Sequence, residues 1–132
     1  MSQEAGNRAK LENQAPILLV TDIEASIKYW THKLGFSAQT WGEPVDFCIL
    51  NRDRCFIMLS AAPEGAHLRP NWRIKDLTWN AYIWVDDARA LYEEFQQSGA
   101  KIDYELGEKE YGCLEFGIQD LDDHDIAFGQ VL

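Results

Sequence analysis

The sequence predicts an α+β fold built from two βαβββ units. Three observations favour it: an internal repeat, the same order of strand-like and helix-like segments in both halves, and turn residues between those segments. Val20 and Asp22 recur 65 residues later as Val85 and Asp87, and each pair ends an apolar run and opens a segment with helical spacing. A long fixed period of this kind indicates that one supersecondary unit is used twice.

The length predicts one domain in which the two units share a core. A domain of about 150 residues buries roughly 68–70% of its unfolded surface, and this chain has 132 residues. We divide it into an N-terminal arm (residues 1–14), a first unit (15–62), a linker (63–78) and a second unit (79–132). The linker contains Pro, Gly and several charged residues without clear periodicity.

The first unit opens with a short apolar run, residues 16–20, that suits a strand buried on both faces. Asp22 is a good helix N-cap, and Gly35 suits the C-terminal end of that helix. The apolar stripe between them consists of Ile23, Ile27, Trp30 and Leu34. Three strands are then predicted at residues 36–41, 45–50 and 55–60.

The second unit repeats this order. Residues 79–85 predict a strand, Asp86 or Asp87 caps the following helix, and Gly99 closes it. The apolar face of that helix carries Ala88, Leu91 and Phe95. Strands are predicted at residues 102–106, 113–119 and 125–130, and residues 121–124 form the last tight turn.

Charge and composition exclude several classes of partner. Twelve basic and 22 acidic residues give a net charge of −10, which repels phosphate backbones and makes nucleic acid an unsuitable partner. No apolar run approaches the roughly 20 residues of a membrane span, and the N-terminus has no stretch typical of an export signal. We therefore expect a cytoplasmic protein without a membrane partner. Cys48, Cys55 and Cys113 are odd in number and lie in apolar segments, so we interpret them as reduced core residues.

The titratable residues form no recognisable catalytic or metal motif. His32, His67 and His124 are isolated, which is typical of surface histidines. An acidic turn near the C-terminus contains Asp120, Asp122, Asp123 and Asp125. It lacks the Gly and the distal Glu of a calcium loop, so it predicts an ordinary hairpin turn. Glu115 is interpreted as a strand carboxylate beside solvent, although such a group can also serve as an acid or base.

Several short motifs, taken in order, resemble the vicinal oxygen chelate superfamily, which includes glyoxalases, ring-cleaving dioxygenases and bleomycin resistance proteins. The opening motif is Pro16-Ile17-Leu18-Leu19-Val20-Thr21-Asp22, followed by Tyr29-Trp30 and Leu34-Gly35-Phe36. The closest likeness is to bleomycin resistance proteins, through Ala15-Pro16-Ile17-Leu18, Ala81-Tyr82-Ile83-Trp84-Val85, Leu91-Tyr92, Tyr111-Gly112 and Glu115-Phe116 through Asp120. The resemblance covers nearly the whole chain.

This resemblance implies a curled mixed sheet around a cleft, with the helices on its outer face. It also implies a homodimer whose clefts are completed across the interface, and an N-terminal arm that crosses to the partner. Alternation along the first strand of the second unit then separates two sets of side chains. Ala81, Ile83 and Val85 are expected beneath the helix, with Asn80, Tyr82 and Trp84 toward the cleft.

The resemblance also identifies where the chain departs from metal-dependent relatives. These carry ligands on the first and last strands of each unit, at positions that correspond here to Ala15, Met58, Asn80 and Ala127. Hard divalent metals prefer carboxylate oxygen or imidazole nitrogen, which none of these residues offers. We therefore expect no metal and no other cofactor. In the last turn, Leu121 and Asp123 stand where relatives commonly have Pro and Gly, and Asp tolerates a left-handed conformation better than most residues.

The residues expected to line the cleft are mainly aromatic and amphipathic. They are Trp41, Phe47, Met58, Ser60, Asn80, Tyr82, Trp84 and Tyr111. Such a surface suits a flat aromatic ligand with a cationic group. The resemblance therefore implies a metal-free, non-catalytic protein that sequesters a small molecule such as a bleomycin-type glycopeptide antibiotic. Two alternatives stay open: an enzyme of the same superfamily acting on a small molecule, and a regulatory or metabolite-binding module.

Overall fold

A computed structural model describes residues 8–132, and it has the two predicted βαβββ units. The first unit consists of β1 (Ile17–Val20), α1 (Ile23–His32), β2 (Ser37–Trp41), β3 (Phe47–Arg52) and β4 (Cys55–Ala61). The linker contains one short helix, α2 (Asn71–Ile74), which its composition did not predict. The second unit consists of β5 (Ala81–Trp84), α3 (Ala88–Ser98), β6 (Lys101–Lys109), β7 (Cys113–Gln119) and β8 (Asp125–Val131).

The strands form two four-stranded mixed sheets, one for each unit. Their orders are β1-β4-β3-β2 and β5-β8-β7-β6. In each sheet the first and last strands of the unit pair in parallel, and the remaining pairs are antiparallel. The α+β class is confirmed, and the predicted curled sheet is divided between the two units.

The strand register confirms the internal repeat at the level of single residues. Ile17 of β1 is paired with Met58 of β4, and Tyr82 of β5 is paired with Ala127 of β8. Ile17 and Tyr82 are 65 residues apart in the sequence, and Met58 and Ala127 are 69 apart, which are the offsets of the repeat. The two sheets therefore place equivalent residues on equivalent faces.

One hydrophobic core joins the helix-covered faces of both sheets within the described chain. Trp30 of α1 packs edge-on against Phe36, while Phe95 of α3 packs against Phe116 and Phe128. Ala81, Ile83 and Val85 pack against this core, as predicted. The Tyr29 hydroxyl ties α1 to the second unit, since it accepts from the Lys101 amide at 2.9 Å and donates to the Gln119 carbonyl at 2.6 Å.

The prediction that the first strand is buried on both faces is wrong. Leu18 and Val20 lie in the core, but Ile17 and Leu19 are 62% and 45% exposed. Helix α1 covers only one face of the sheet, and successive strand residues point to opposite faces. An apolar run thus leaves every second side chain uncovered here.

The last turn depends on Asp120 and Asp123. Asp123 adopts a left-handed conformation with φ of 65°, at the position where relatives of the resembled family commonly have Gly. The buried Asp120 carboxylate accepts from the backbone amides of Asp122 and His124 at 3.0 and 2.8 Å. The prediction that His124 lies at the surface is wrong, because it is 5% exposed and its Nδ1 lies 2.8 Å from an Asp120 oxygen. His32 and His67 are exposed.

The structure also bears on the predictions for the cysteines, for membrane spans and for the N-terminal arm. Cys48, Cys55 and Cys113 are unpaired, and Cys48 and Cys113 are buried. Within residues 8–132, no helix has the length and apolarity needed to cross a bilayer. Of the predicted N-terminal arm, residues 8–14 are exposed and residues 1–7 lie outside the described part of the chain.

Asp87, not Asp86, caps α3, and this predicts a difference between two neighbouring substitutions. An Asp87 oxygen accepts from the Ala90 amide at 3.0 Å. Asp87→Ala is expected to lower the free energy of unfolding by about 1 kcal/mol, since the amide loses its partner. Asp86→Ala removes an exposed neighbouring carboxylate and is expected to change it by less than about 0.5 kcal/mol. Urea denaturation measures both, and equal effects would contradict the assignment.

Candidate functional site

Each sheet has one face packed on the core and one open face, and the predicted ligand-binding residues lie mostly on the open faces. The first open face includes Ile17, Leu19, Trp41, Phe47, Ile49, Met58 and Ser60. Directly paired residues share a face, so Phe47 brings Trp41 and Ser60 to the same surface. The Trp41 and Phe47 rings lie 5.8 Å apart. Gln39, Ser37 and Asn51 continue this face along β2 and β3, so its apolar part lies beside β1 and β4.

The second open face carries aromatic side chains around the Glu115 carboxylate. It includes Trp79, Tyr82, Trp84, Tyr104, Tyr111, Glu115, Gly117, Ala127 and Gly129. A second carboxylate, Asp125, lies on this face at the start of β8 and accepts from the Gln119 amide. The Trp79, Tyr82 and Trp84 rings form a row with centroid separations of 4.8 and 5.3 Å. The parallel pairing of β5 with β8 fixes this row, because it points Tyr82 and Trp84 away from the core.

Glu115 is the centre of the second open face, and the prediction that it lies beside solvent is wrong. Its side chain is 1% exposed. Three tyrosine hydroxyls donate to its carboxylate: Tyr82 and Tyr111 to Oε1 at 2.9 and 2.6 Å, and Tyr104 to Oε2 at 2.5 Å. An ionised carboxylate only accepts hydrogen bonds, so three donors on two oxygens match its charged form.

Trp79 sets the direction of the hydrogen bond between Tyr104 and Glu115. Its indole N–H, which can only donate, lies 3.1 Å from the Tyr104 hydroxyl. The Tyr104 hydroxyl therefore accepts from Trp79 and uses its own proton for Glu115. Burial, as the largest cause, raises the pKa of Tyr82, Tyr104 and Tyr111 above the usual phenol value, and the negative Glu115 raises it further. All three tyrosines consequently remain proton donors.

Two glycines make room for two of these tyrosines. Gly129 of β8 and Gly117 of β7 lie on the second open face, beneath Tyr82 and Tyr104 respectively. A Cβ atom built on Gly129 would overlap the Tyr82 hydroxyl, and one built on Gly117 would overlap the Tyr104 ring. The rings can therefore lie close to the strands and extend their hydroxyls to Glu115 only because both residues lack a side chain.

The four positions that correspond to metal ligands in relatives do not fit a divalent metal. Met58 and Ala127 lie on the open faces, where they offer a thioether and a methyl group, and Ala15 offers a second methyl group. The Asn80 side-chain oxygen is already occupied, since it accepts from the Asn71 amide at 3.1 Å and so ties α2 to β5. Across residues 8–132, no three His, Cys, Asp or Glu side chains lie close enough together to hold a metal ion.

The structure separates the predicted ligand-binding residues into two clusters. Trp41, Phe47, Met58 and Ser60 lie on the first open face, whereas Tyr82, Trp84 and Tyr111 lie on the second. An open groove of about 820 Å³ runs between the units and is lined by Ala15, by the start of β4, and by β5 with Tyr82 and Trp84. Of the predicted ligand-binding residues, Tyr82 and Trp84 line this groove.

Sequence reasoning missed the centre of the second open face. Glu115, Tyr104 and Trp79 were not among the predicted ligand-binding residues. A signal was present, because Glu115 and Gly117 are two residues apart on one strand and therefore share a face. With Tyr111 placed in the cleft, the same alternation would have placed Glu115 and Gly117 on the same face.

The comparison with family models identifies one family for this chain. The model of the Glyoxalase/Bleomycin resistance protein/Dioxygenase superfamily matches residues 13–128. No curated protein matches the chain.

Solved structures share the fold at low sequence identity. A bleomycin-binding protein from Streptomyces verticillus, solved with copper(II)-bleomycin, is 24% identical, with 95% of this chain and 100% of that chain covered and a TM-score of 0.71. A bleomycin resistance determinant encoded on the transposon Tn5 is 18% identical, with coverage of 92% and 98% and a TM-score of 0.72. A glyoxalase-related enzyme from Clostridium phytofermentans is 13% identical, with coverage of 96% and 99% and a TM-score of 0.73. At these identities the likeness shows the fold alone.

The glycine beneath Tyr82 predicts a contrast between two Gly→Ala substitutions. Gly129→Ala is expected to lower the free energy of unfolding by about 1–3 kcal/mol, because the added methyl group displaces the Tyr82 ring. Gly107→Ala on β6 is the matched control, since a Cβ there meets no atom within 4 Å. Urea denaturation of both variants measures the difference. A Gly129→Ala protein as stable as the Gly107→Ala protein would contradict the close packing of Tyr82.

Proposed function

The chain belongs to the Glyoxalase/Bleomycin resistance protein/Dioxygenase superfamily, and we propose that it is a non-catalytic binding protein for a bulky, cationic, aromatic small molecule. The bleomycin-type glycopeptide antibiotics are the ligand class we favour. The Streptomyces verticillus relative, which has the same fold, was solved with copper(II)-bleomycin. Antibiotic resistance by sequestration is the biological role that follows from this proposal.

One observation carries the proposal: large aromatic side chains lie on the open faces instead of in the core. Trp84 is 68% exposed, Tyr111 is 59% exposed and Trp41 is 43% exposed. Exposed apolar surface of this extent is typical of binding sites. Stacked ring pairs contribute about 0.5–1.5 kcal/mol beyond area burial, so several rings together supply useful affinity for a flat ligand.

The charge of the chain supports a cationic ligand. Its net charge of −10 attracts cations over long range and raises the rate of their association. The four positions discussed above offer no hard-metal donor set, which supports capture of a ligand over metal-assisted chemistry.

A homodimer is part of the same proposal. The first open face presents Ile17, Leu19 and Trp41 to solvent, and a monomer rarely leaves so much contiguous apolar surface uncovered. A second copy that covers this face with its own second open face completes a groove with aromatic side chains on both walls. A two-fold axis then generates two equivalent grooves.

Binding is tested with copper(II)-bleomycin by isothermal titration calorimetry. We expect saturable binding, and we expect Trp84→Ala to weaken it by about tenfold, equivalent to 1.4 kcal/mol, because one stacking surface is lost. Ile74→Ala removes an exposed apolar side chain from α2, a helix that is part of neither sheet, and is expected to leave the affinity unchanged. Absence of saturable binding at micromolar drug contradicts the choice of ligand.

The enzyme alternative is distinguished by elemental analysis of protein purified without chelators. A stoichiometric divalent metal, together with no drug binding, favours an enzyme of the same superfamily. A protein that binds neither metal nor drug, but whose melting temperature rises with a particular metabolite, favours the regulatory or metabolite-binding module.

Dimerisation is tested by a charge placed on the first open face. Leu19→Glu is expected to convert the dimer to monomers, because a carboxylate would be buried without a partner in the interface. Ile74→Glu introduces the same charge outside the open faces and is expected to remain dimeric. Sedimentation velocity measures both. A monomeric wild-type protein at micromolar concentration, or a dimeric Leu19→Glu protein, contradicts this arrangement.

A further inference from the structure

Glu115 is a buried negative charge without a cationic partner among the described residues. Its three hydrogen-bond donors are neutral hydroxyls, so they stabilise the carboxylate without neutralising it. An uncompensated buried charge costs several kcal/mol of stability. A cation that approaches this face from solvent would offset part of that cost.

The aromatic side chains around Glu115 present the surface that such a cation needs. The Tyr82, Tyr104 and Tyr111 hydroxyls all point inward to the carboxylate, and the exposed Trp84 and Tyr111 rings form the outer surface. Aromatic ring faces carry partial negative charge, and a cation over such a face gains about 0.5–2 kcal/mol.

A cation of the chain already uses one of these rings. The Lys109 ammonium lies 5.0 Å from the centroid of the Tyr104 ring. Within residues 8–132 it forms no ion pair with Glu115. This contact places a positive group over a ring of the same face.

We propose that the second open face is a binding subsite for an alkylated ammonium group, quaternary or tertiary, with the Tyr82, Trp84 and Tyr111 rings around the cation and Glu115 behind them. The inference rests on the proposed function, in that it takes this face as part of the ligand groove, and it specifies the chemistry of the ligand's cation.

The preference for an alkylated ammonium follows from the occupancy of Glu115. Both carboxylate oxygens already accept from tyrosine hydroxyls, and the side chain is almost inaccessible to solvent. A primary ammonium or a guanidinium would lose hydrogen bonds to water without replacing them at this carboxylate, at a cost of about 1–3 kcal/mol for each unsatisfied donor. A quaternary ammonium has no N–H group and avoids this loss.

The test compares choline with its neutral isostere 3,3-dimethylbutan-1-ol by calorimetric titration of the full-length protein. These probes have the same shape and differ in the charge of one atom. We expect choline to bind with a dissociation constant of about 1 mM and the isostere at least about tenfold more weakly. Equal affinities, or no choline binding up to about 10 mM, would overturn the proposal.

Two variants separate the roles of charge and fold. Glu115→Gln keeps the shape and removes the charge, so we expect choline affinity to fall by about tenfold while the weak affinity for the isostere is unchanged. Lys109→Met removes the competing cation, and we expect choline to bind about threefold more tightly. Circular dichroism checks that each variant is folded. Unchanged choline affinity in a folded Glu115→Gln protein overturns the proposal.

The second variant keeps the proposal falsifiable if Glu115→Gln does not fold. In that case, a folded Lys109→Met protein whose choline affinity is unchanged or weaker overturns it, since damage to the fold does not tighten binding. The results also distinguish a failure of the ammonium subsite from a failure of the proposed function. Copper(II)-bleomycin binding without discrimination between choline and its isostere removes only the ammonium subsite, whereas choline discrimination without drug binding removes only the antibiotic.

Discussion

The parallel pairing between the first and last strands of each unit determines where every side chain of the candidate site lies. Pairing Ile17 with Met58, and Tyr82 with Ala127, aligns the two strands so that one alternate set of residues enters the core and the other is left open. Since the side-chain period of a strand is two, a shift of one residue would exchange the two sets. The helices α1 and α3 then cover one set, and the other set forms the open faces.

The same backbone arrangement produces two chemically different open faces. The first is mainly apolar beside β1 and β4, and it has Met58 at the position equivalent to Ala127 in the second. On the second, Gly117 and Gly129 replace side chains with space, and that space is filled by Tyr104 and Tyr82. The absence of side chains at Gly117 and Gly129 therefore allows the tyrosine hydroxyls to converge on Glu115. This gives the second open face a polar centre that the first open face does not have among its described residues.

The fold could be predicted from the sequence because its signals are local. The N-caps at Asp22 and Asp87 and the left-handed Gly99 each act within one turn of helix, and the predicted strands match the structure to within a few residues. The site was predicted less completely, because a carboxylate or an imidazole is expected at the surface by its type. Glu115 is held by Tyr82, which is 33 residues away in the sequence, so its burial depends on a tertiary contact. His124 is held by Asp120 within the same turn, and no feature of the sequence indicated that this turn is buried.

The hydrogen bonds that hold Glu115 also keep its carboxylate from accepting a further proton. A general base has to lie within hydrogen-bonding distance of the proton that it abstracts. Here three hydroxyl protons already occupy that position, and the tyrosines hold those protons firmly because burial raises the pKa of each phenol and the negative Glu115 raises it further. To accept a proton from a bound molecule, Glu115 would have to give up a donor and expose its carboxylate. Its charge, in contrast, acts through the rings without any movement.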